Sequence, residues 1–319
     1  MADDTRAPVG RARRFRGRRA PGAWTGRRPA GLVLSGVLAA GALVVPELCW
    51  GSDGRAATAD TAAVVPVSWS LREGLSRPPV RVVDTAGVLA GVDAAASTAR
   101  ADVGGVVVDA YGRTLVQTPG ADRPVYSASL VKLLVVQQVL ARAGPTGWDA
   151  TTLGRLERAV RLSDDAAMNA LWSTFDGPAL IRDAVAASGL TGTAPPADPS
   201  QWGETTTTAV DVARFLSALA GDRGADAARL LGWMRAAAPV AADGFDQAFG
   251  LLSDAVGAGA AVKQGWMCCI DGRRQLHSAG VLADGRVVVV LSEVPSSTGW
   301  RAAARTVDGA TLALVAGTG

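Results

Sequence analysis

The sequence is poor in the residues that most often carry chemistry. Its 319 residues include one histidine, His277, and three cysteines, Cys49, Cys268 and Cys269, with no C-x-x-C spacing. That leaves no ligand set for a zinc site and no disulfide framework. A G-x-S-x-G elbow is absent, so nothing points to a Ser-His-Asp hydrolase. With two tyrosines and five phenylalanines, the core must be built from small aliphatics and some of the nine tryptophans. Lysine is nearly missing. Of 32 Lys plus Arg, only Lys132 and Lys263 are lysines. Arginine does surface and ion-pair work but cannot give up its proton, whereas lysine can. In a chain so biased to arginine, two retained lysines mark positions where arginine will not serve. The alternative for Lys132 is a lysine that snorkels to the surface.

A net charge of +3 conceals an uneven distribution. Residues 1–29 hold nine arginines and two aspartates, a basic tail of +7, so the remainder sums to −4. The folded part is therefore mildly acidic, and no basic stripe implies a nucleic-acid partner. The only long apolar run is the uncharged stretch Ala30–Val45, followed by Pro46 and Glu47. A basic segment ahead of an apolar one is the layout of a signal peptide or short signal anchor over 30–46, with the basic end inside. Its 16 residues are borderline for a span. Ala57-Thr-Ala59 offers a distant cleavage site, and Pro46-Glu47-Leu48 before Cys49 makes a poor lipobox. Export, either secreted or membrane-anchored by this segment, is the expectation. The alternative is a cytoplasmic protein with a basic nucleic-acid-binding tail. Residues 47–84 read as linker.

The globular part is expected over 85–319. An Ala-rich helix over 82–100 leads to a hairpin, Val103–Asp109 and Thr114–Gln117. Helical patterns then cover Tyr126–Leu140, Asp149–Leu162, Gly177–Ser188, Thr205–Leu219 and Ala225–Ala238, an all-helical insert of about 126–240. Three strands come next, Ala260–Cys268, Leu276–Leu282 and Arg286–Val294, with turns at Asp271-Gly272 and Asp284-Gly285. Arg301–Val315 closes as a helix. This is an α+β chain with a five-stranded antiparallel sheet flanked by helices, plus an all-helical subdomain.

Tyr126–Leu140 organises the rest. It is apolar nearly all round, so it belongs inside a domain. Ser129 and Lys132, at i and i+3, nevertheless share one of its faces. Burial pushes a lysine pKa towards neutrality. A neutral amine one turn from a hydroxyl can take its proton, and free N–H groups at a helix start favour negative charge. Nucleophile, base and part of an oxyanion site fit into four residues.

Three motifs now stand in order: Ser129-Leu-Val-Lys132, Ser163-Asp164-Asp165 and Lys263-Gln264-Gly265. The set resembles S-x-x-K, S-D-N and K-T-G of class A β-lactamases and penicillin-binding proteins, and the element order is similar to that β-lactamase/transpeptidase-like fold. The resemblance implies a divergent serine hydrolase acylated at Ser129 by β-lactams or D-Ala-D-Ala-like amides. It makes Lys132 the base, Ser163 the proton shuttle to the leaving nitrogen, and Lys263 the cationic clamp. The backbone N–H groups of Ser129 and Trp266 would form the oxyanion hole. Asn169 matches a family asparagine, and Glu204-Thr-Thr-Thr-Thr208 looks like the end of the family's Ω-loop, with Glu204 a structural acid. No cofactor or metal is implied. The partner implied is a small β-lactam or a peptidoglycan stem peptide, bound by a monomer.

Four departures modify that expectation. Asp165 stands in place of asparagine and would repel an anionic substrate, or pair with Lys132 and raise its pKa. Gln264 replaces a short hydroxyl at the substrate. Trp266 is bulky and narrows the cleft over Gly265. The loop Gly189–Glu204 lacks the E-x-x-L-N glutamate that activates the deacylating water, and neither Asp198 nor Glu204 is expected to replace it, so deacylation should be slow. Two other functions stay open: a non-catalytic cell-envelope binding module on the same fold, and an S-x-x-K esterase or amidase. Cys268 and Cys269 are expected as buried thiols on opposite faces of a strand; the alternative is a vicinal disulfide formed after export, against adjacent Cα atoms about 3.8 Å apart, below the usual disulfide range. His277 is expected to be structural, and Trp202 to line a cleft with Trp266.

Overall fold

The computed structural model describes residues 83–144, 146–256 and 258–319. The basic tail, the apolar segment and all but the end of the expected linker lie outside the described residues. The chain order is α1 (Thr85–Ser97), β1 (Asp102–Val108), β2 (Thr114–Gln117), β3 (Val125–Tyr126), α2 (Val131–Ala141), α3 (Ala150–Arg161), α4 (Asp165–Thr174) and α5 (Gly177–Ser188). Then come β4 (Thr206–Thr207), α6 (Ala209–Gly221), α7 (Ala225–Arg235), β5 (Ala261–Ile270), β6 (Arg273–Val281), β7 (Val287–Pro295) and α8 (Trp300–Ala316).

Five strands form one antiparallel sheet in the order β2-β1-β7-β6-β5. The continuous apolar run of β7 explains its inner place, since a strand covered on both faces has no need to alternate. Its residues divide by parity. Val287, Val289 and Leu291 enter one core with α2 and α6. Val288, Val290 and Val294 enter a second core with α1 and α8. Burying each such side chain contributes about 1.5–3 kcal/mol, so both layers are anchored by a single strand. Helices α1 and α8 approach closely because small residues meet. A Cβ built on Gly91 would come 2.8 Å from the Ala313 Cβ, and one on Gly309 2.9 Å from the Ala95 Cβ.

Helix α2 is buried on nearly every side, as its composition requires, Lys132 included. Its start differs from the expectation. Tyr126 belongs to β3, Ala128–Leu130 form a single 3₁₀ turn, and α2 begins only at Val131. The reason is tertiary. The β-branched stretch Thr205–Thr208, expected as the start of a helix, is extended and pairs Thr207 with Val125 and Thr206 with Tyr126. The insert is therefore not all-helical, and α6 starts at Ala209, capped by the Thr208 side chain.

Candidate active site

Edge strand β5 runs beside the 3₁₀ turn that carries Ser129. The approach is close. A Cβ built on Gly265 would lie 3.1 Å from the Ser127 carbonyl oxygen and 3.2 Å from Leu130 Cγ. Lys263, Gly265 and Met267 share one face of the strand, by its period of two. The turn is held from three sides. Ser127 N–H donates to Thr205 O at 2.8 Å. β3 pairs with β4. His277, fully buried, accepts from Ser292 N–H at Nδ1 (3.1 Å), so its Nε2–H donates to Tyr126 O at 2.8 Å. Burial lowers the His277 pKa to about 4, and the ring is a neutral strut, as expected of a structural histidine.

Backbone strain gathers at the same place. Ala128 and Ser163 are non-glycine residues with φ of 47° and 50°. Such residues cost roughly 1–3 kcal/mol each and persist where surroundings over-determine them. Ser163 is fixed through its neighbour Asp164. That side chain caps α4, accepting from Ala167 N–H at 3.0 Å, and takes the Arg158 Nε–H at 2.7 Å.

The four residues expected to do the chemistry converge. Lys132 Nζ, 0% exposed, lies 3.0 Å from Ser129 Oγ, 3.2 Å from Ser163 Oγ and 2.6 Å from Ser163 O. Lys263 Nζ donates to Ser163 Oγ at 2.7 Å and to Gln264 O at 2.7 Å. Two amines thus occupy the two lone pairs of one hydroxyl, which leaves the Ser163 proton free to be donated elsewhere. Burial pushes the Lys132 amine below its usual range, against the nearby carboxylates, Asp165 first. Burial, and then the charge of Lys132, push Lys263 well below its own.

The expected pairing of Asp165 is present. Its Oδ1 is 2.6 Å from Lys132 Nζ, and its side chain is 62% exposed. A cleft of about 490 Å³ opens over this group, lined by Ser129, Asp165, Asn169, Trp202, Glu204 and Trp266 among others. Trp202 stands with its ring centroid 4.8 Å from Lys132 Nζ and donates its indole N–H to Asn169 Oδ1 at 2.8 Å. It shields the amine from water, and Asn169 holds it there.

Three expectations need correction. Gln264 does not reach the cleft. Its side chain is 1% exposed, on the opposite face of β5, and donates to the carbonyls of Gln247 (3.1 Å) and Phe249. Strand parity alone separates it from Lys263. Glu204, expected as a structural acid, lines the cleft, because Trp202–Glu204 form a 3₁₀ turn next to the nucleophile turn. Cys268 and Cys269 are exposed and joined to each other by a disulfide. β5 runs two residues further than expected, to Ile270, and its end borders the cleft, where Cys268 and Cys269 are exposed. Trp266 lines the cleft but stacks on Phe245 at 4.6 Å. Sequence reasoning missed Met267, legible from the i, i+2, i+4 spacing with Lys263 and Gly265. It also missed Asp243 and Gln247, whose loop carries no motif.

No family model matches this chain. Two curated relatives, both named "Putative lipoprotein LppW" and from Mycobacterium bovis and Mycobacterium tuberculosis, are 31% identical over 180 residues. The match covers 54% of this chain and 57% of theirs, so the chain spans little more than half the length of the curated relatives it matches. Among solved structures, a class A β-lactamase from Bacteroides cellulosilyticus superimposes with a TM-score of 0.60 at 13% identity, covering 74% of this chain and 99% of its own. A β-lactamase from Chitinophaga pinensis gives 0.57 at 16%, covering 73% and 99%. At such identity the likeness speaks for architecture, and it agrees with the strand order and the converging motifs: the chain has a β-lactamase-like fold in divergent form.

Proposed function

We propose that this protein is an exported serine hydrolase of the β-lactamase and penicillin-binding class, acting on cyclic or peptide amides. The observation that carries the reading is the unbroken series Ser129 Oγ, Lys132 Nζ, Ser163 Oγ and Lys263 Nζ, each within 3.2 Å of the next. In this reading Ser129 Oγ attacks the carbonyl carbon and Lys132 Nζ takes its proton. The proton travels through the Ser163 hydroxyl to the leaving nitrogen, and Lys263 steadies the charge. The backbone N–H groups of Ser129 and Trp266 face the oxygen that becomes negative. Water then hydrolyses the ester on Ser129, slowly, because the loop before α6 lacks the family's water-activating glutamate.

The lipoprotein in the relatives' name supports a place in the cell envelope, as does the basic-then-apolar layout of residues 6–45. Residues 30–46 would then be the signal or anchor and 85–319 the hydrolase domain, working as a monomer on a small molecule or stem peptide. One observation favours a different reading, a binding module without turnover: the Asp165 carboxylate 2.6 Å from Lys132 Nζ favours the charged amine.

Intact mass spectrometry separates the two. The full-length protein is incubated with a penicillin and, separately, with an activated ester, beside a Ser129→Ala control. An acyl adduct that the control lacks is expected, decaying over hours. No Ser129-dependent adduct from either donor would leave the binding module as the better reading.

A further inference from the structure

The charge around the cleft is unusual for a site that meets small acids. Two carboxylates, Asp165 and Glu204, line it. A third, the exposed Asp243, sits at its edge, 3.4 Å from the Trp266 indole nitrogen. Among the described residues lining the cleft there is no arginine, lysine or histidine. The two nearby amines are buried behind it and already engaged: Lys132 by Ser129, Ser163 and Asp165, and Lys263 by Ser163 and the Gln264 carbonyl.

Asn169, Ser200 and Gln201 offer the cleft neutral donors only, and the donor side chains of the neighbouring strands are engaged elsewhere. The Gln264 amide is spent on two backbone carbonyls on the far face of β5. Arg274, whose β6 position pairs with Cys268 at the rim, stacks its guanidinium over Trp300 at 4.3 Å, with its Nε and Nη1 buried and without a hydrogen-bond partner. Its neighbour Arg273 is bound to Asp102 and to the Glu293 carbonyl.

We infer that this site selects neutral or cationic acyl donors and rejects those with a carboxylate flanking the scissile carbonyl. This rests on the acyl-transfer reading above and narrows its substrate class. An anionic donor entering the cleft loses its hydration, meets no cation among the described residues that line it and faces three carboxylates. A neutral ester or amide avoids that penalty, and an ammonium group gains from the same field. The covalent step is unchanged: the Ser129 Oγ–acyl bond forms, the bond from carbonyl carbon to leaving group breaks, and the serine proton ends on the leaving group.

The test uses one β-lactam in three forms: benzylpenicillin as the free acid, as its methyl ester, and as a trimethylammonioethyl ester. Acylation of the full-length protein is followed by intact mass, and each rate is divided by that donor's rate with hydroxide. The neutral and cationic forms are expected to acylate Ser129 at least about tenfold faster than the free acid. In Glu204→Gln and Asp243→Asn proteins the ratio should shrink, a readout that a change in overall rate does not move. Equal or faster acylation by the free acid overturns the inference while leaving Ser129 as nucleophile. A ratio unmoved by both substitutions overturns its electrostatic cause. The absence of a Ser129-dependent adduct from all three forms removes the acyl-transfer reading and this inference with it.

Discussion

Asp165→Asn isolates the electrostatics of the base. The substitution keeps the shape of the side chain and an acceptor oxygen, and removes one negative charge 2.6 Å from Lys132 Nζ. Two unit charges at that distance attract by about 1.6 kcal/mol in water. The water figure is a lower bound: solvent screens the carboxylate, which is 62% exposed, while the amine it faces is fully buried. Withdrawing that attraction multiplies the neutral-to-charged ratio of the Lys132 amine roughly fifteenfold. A less basic amine is also a weaker proton acceptor, and Brønsted behaviour returns about half the gain on a logarithmic scale. Where the charged amine predominates, acylation of Ser129 should therefore accelerate by about fourfold, with the rising limb of its pH–rate profile moved to lower pH. Pseudo-first-order acylation rates read by intact mass across a pH series are the assay. An unchanged profile, or slower acylation, would refute the argument that Asp165 blunts Lys132.

The same geometry sets three further outcomes. Lys132→Ala should cut acylation by a factor of about 10²–10⁴ while circular dichroism stays native; retained labelling would remove Lys132 as base. Gly265→Ala should cost about 1–3 kcal/mol in denaturant unfolding, because the added methyl meets the Ser127 carbonyl at 3.1 Å, and should slow acylation by displacing the nucleophile turn. His277 gives a pH dependence. Its pKa falls from 6.5 in the open chain to about 4 in the fold, so the fold favours the neutral ring. The stability this provides is fully present above about pH 6.5 and is lost as pH falls to 4, about 3 kcal/mol in all. A His277→Gln protein should show a shallower fall in that window, and parallel curves would contradict the assignment.

The motif chemistry was legible because it is local. Ser129 and Lys132 are one helical turn apart, and the scarcity of lysine singles out Lys132 and Lys263. Gly177–Ser188 and Thr114–Gln117 were readable to the residue, since an Asp cap and a Gly end the one and a Gly turn opens the other. Beyond the reach of the sequence was the direction of side chains across elements far apart in the chain. Gln264 sits beside Lys263, yet strand parity sends it to the Gln247 and Phe249 carbonyls instead of the substrate. Thr205–Thr208 carries helical neighbours, yet pairing with Val125–Tyr126 keeps it extended and shortens two helices. Glu204 and the exposed Cys268 became cleft residues only because a loop and a strand end were brought over Ser129. Residue type and spacing thus determined which groups could react. The packing of β5 against the nucleophile turn decided which of them meet, because burial and pairing across more than a hundred residues depend on contacts that no local pattern encodes.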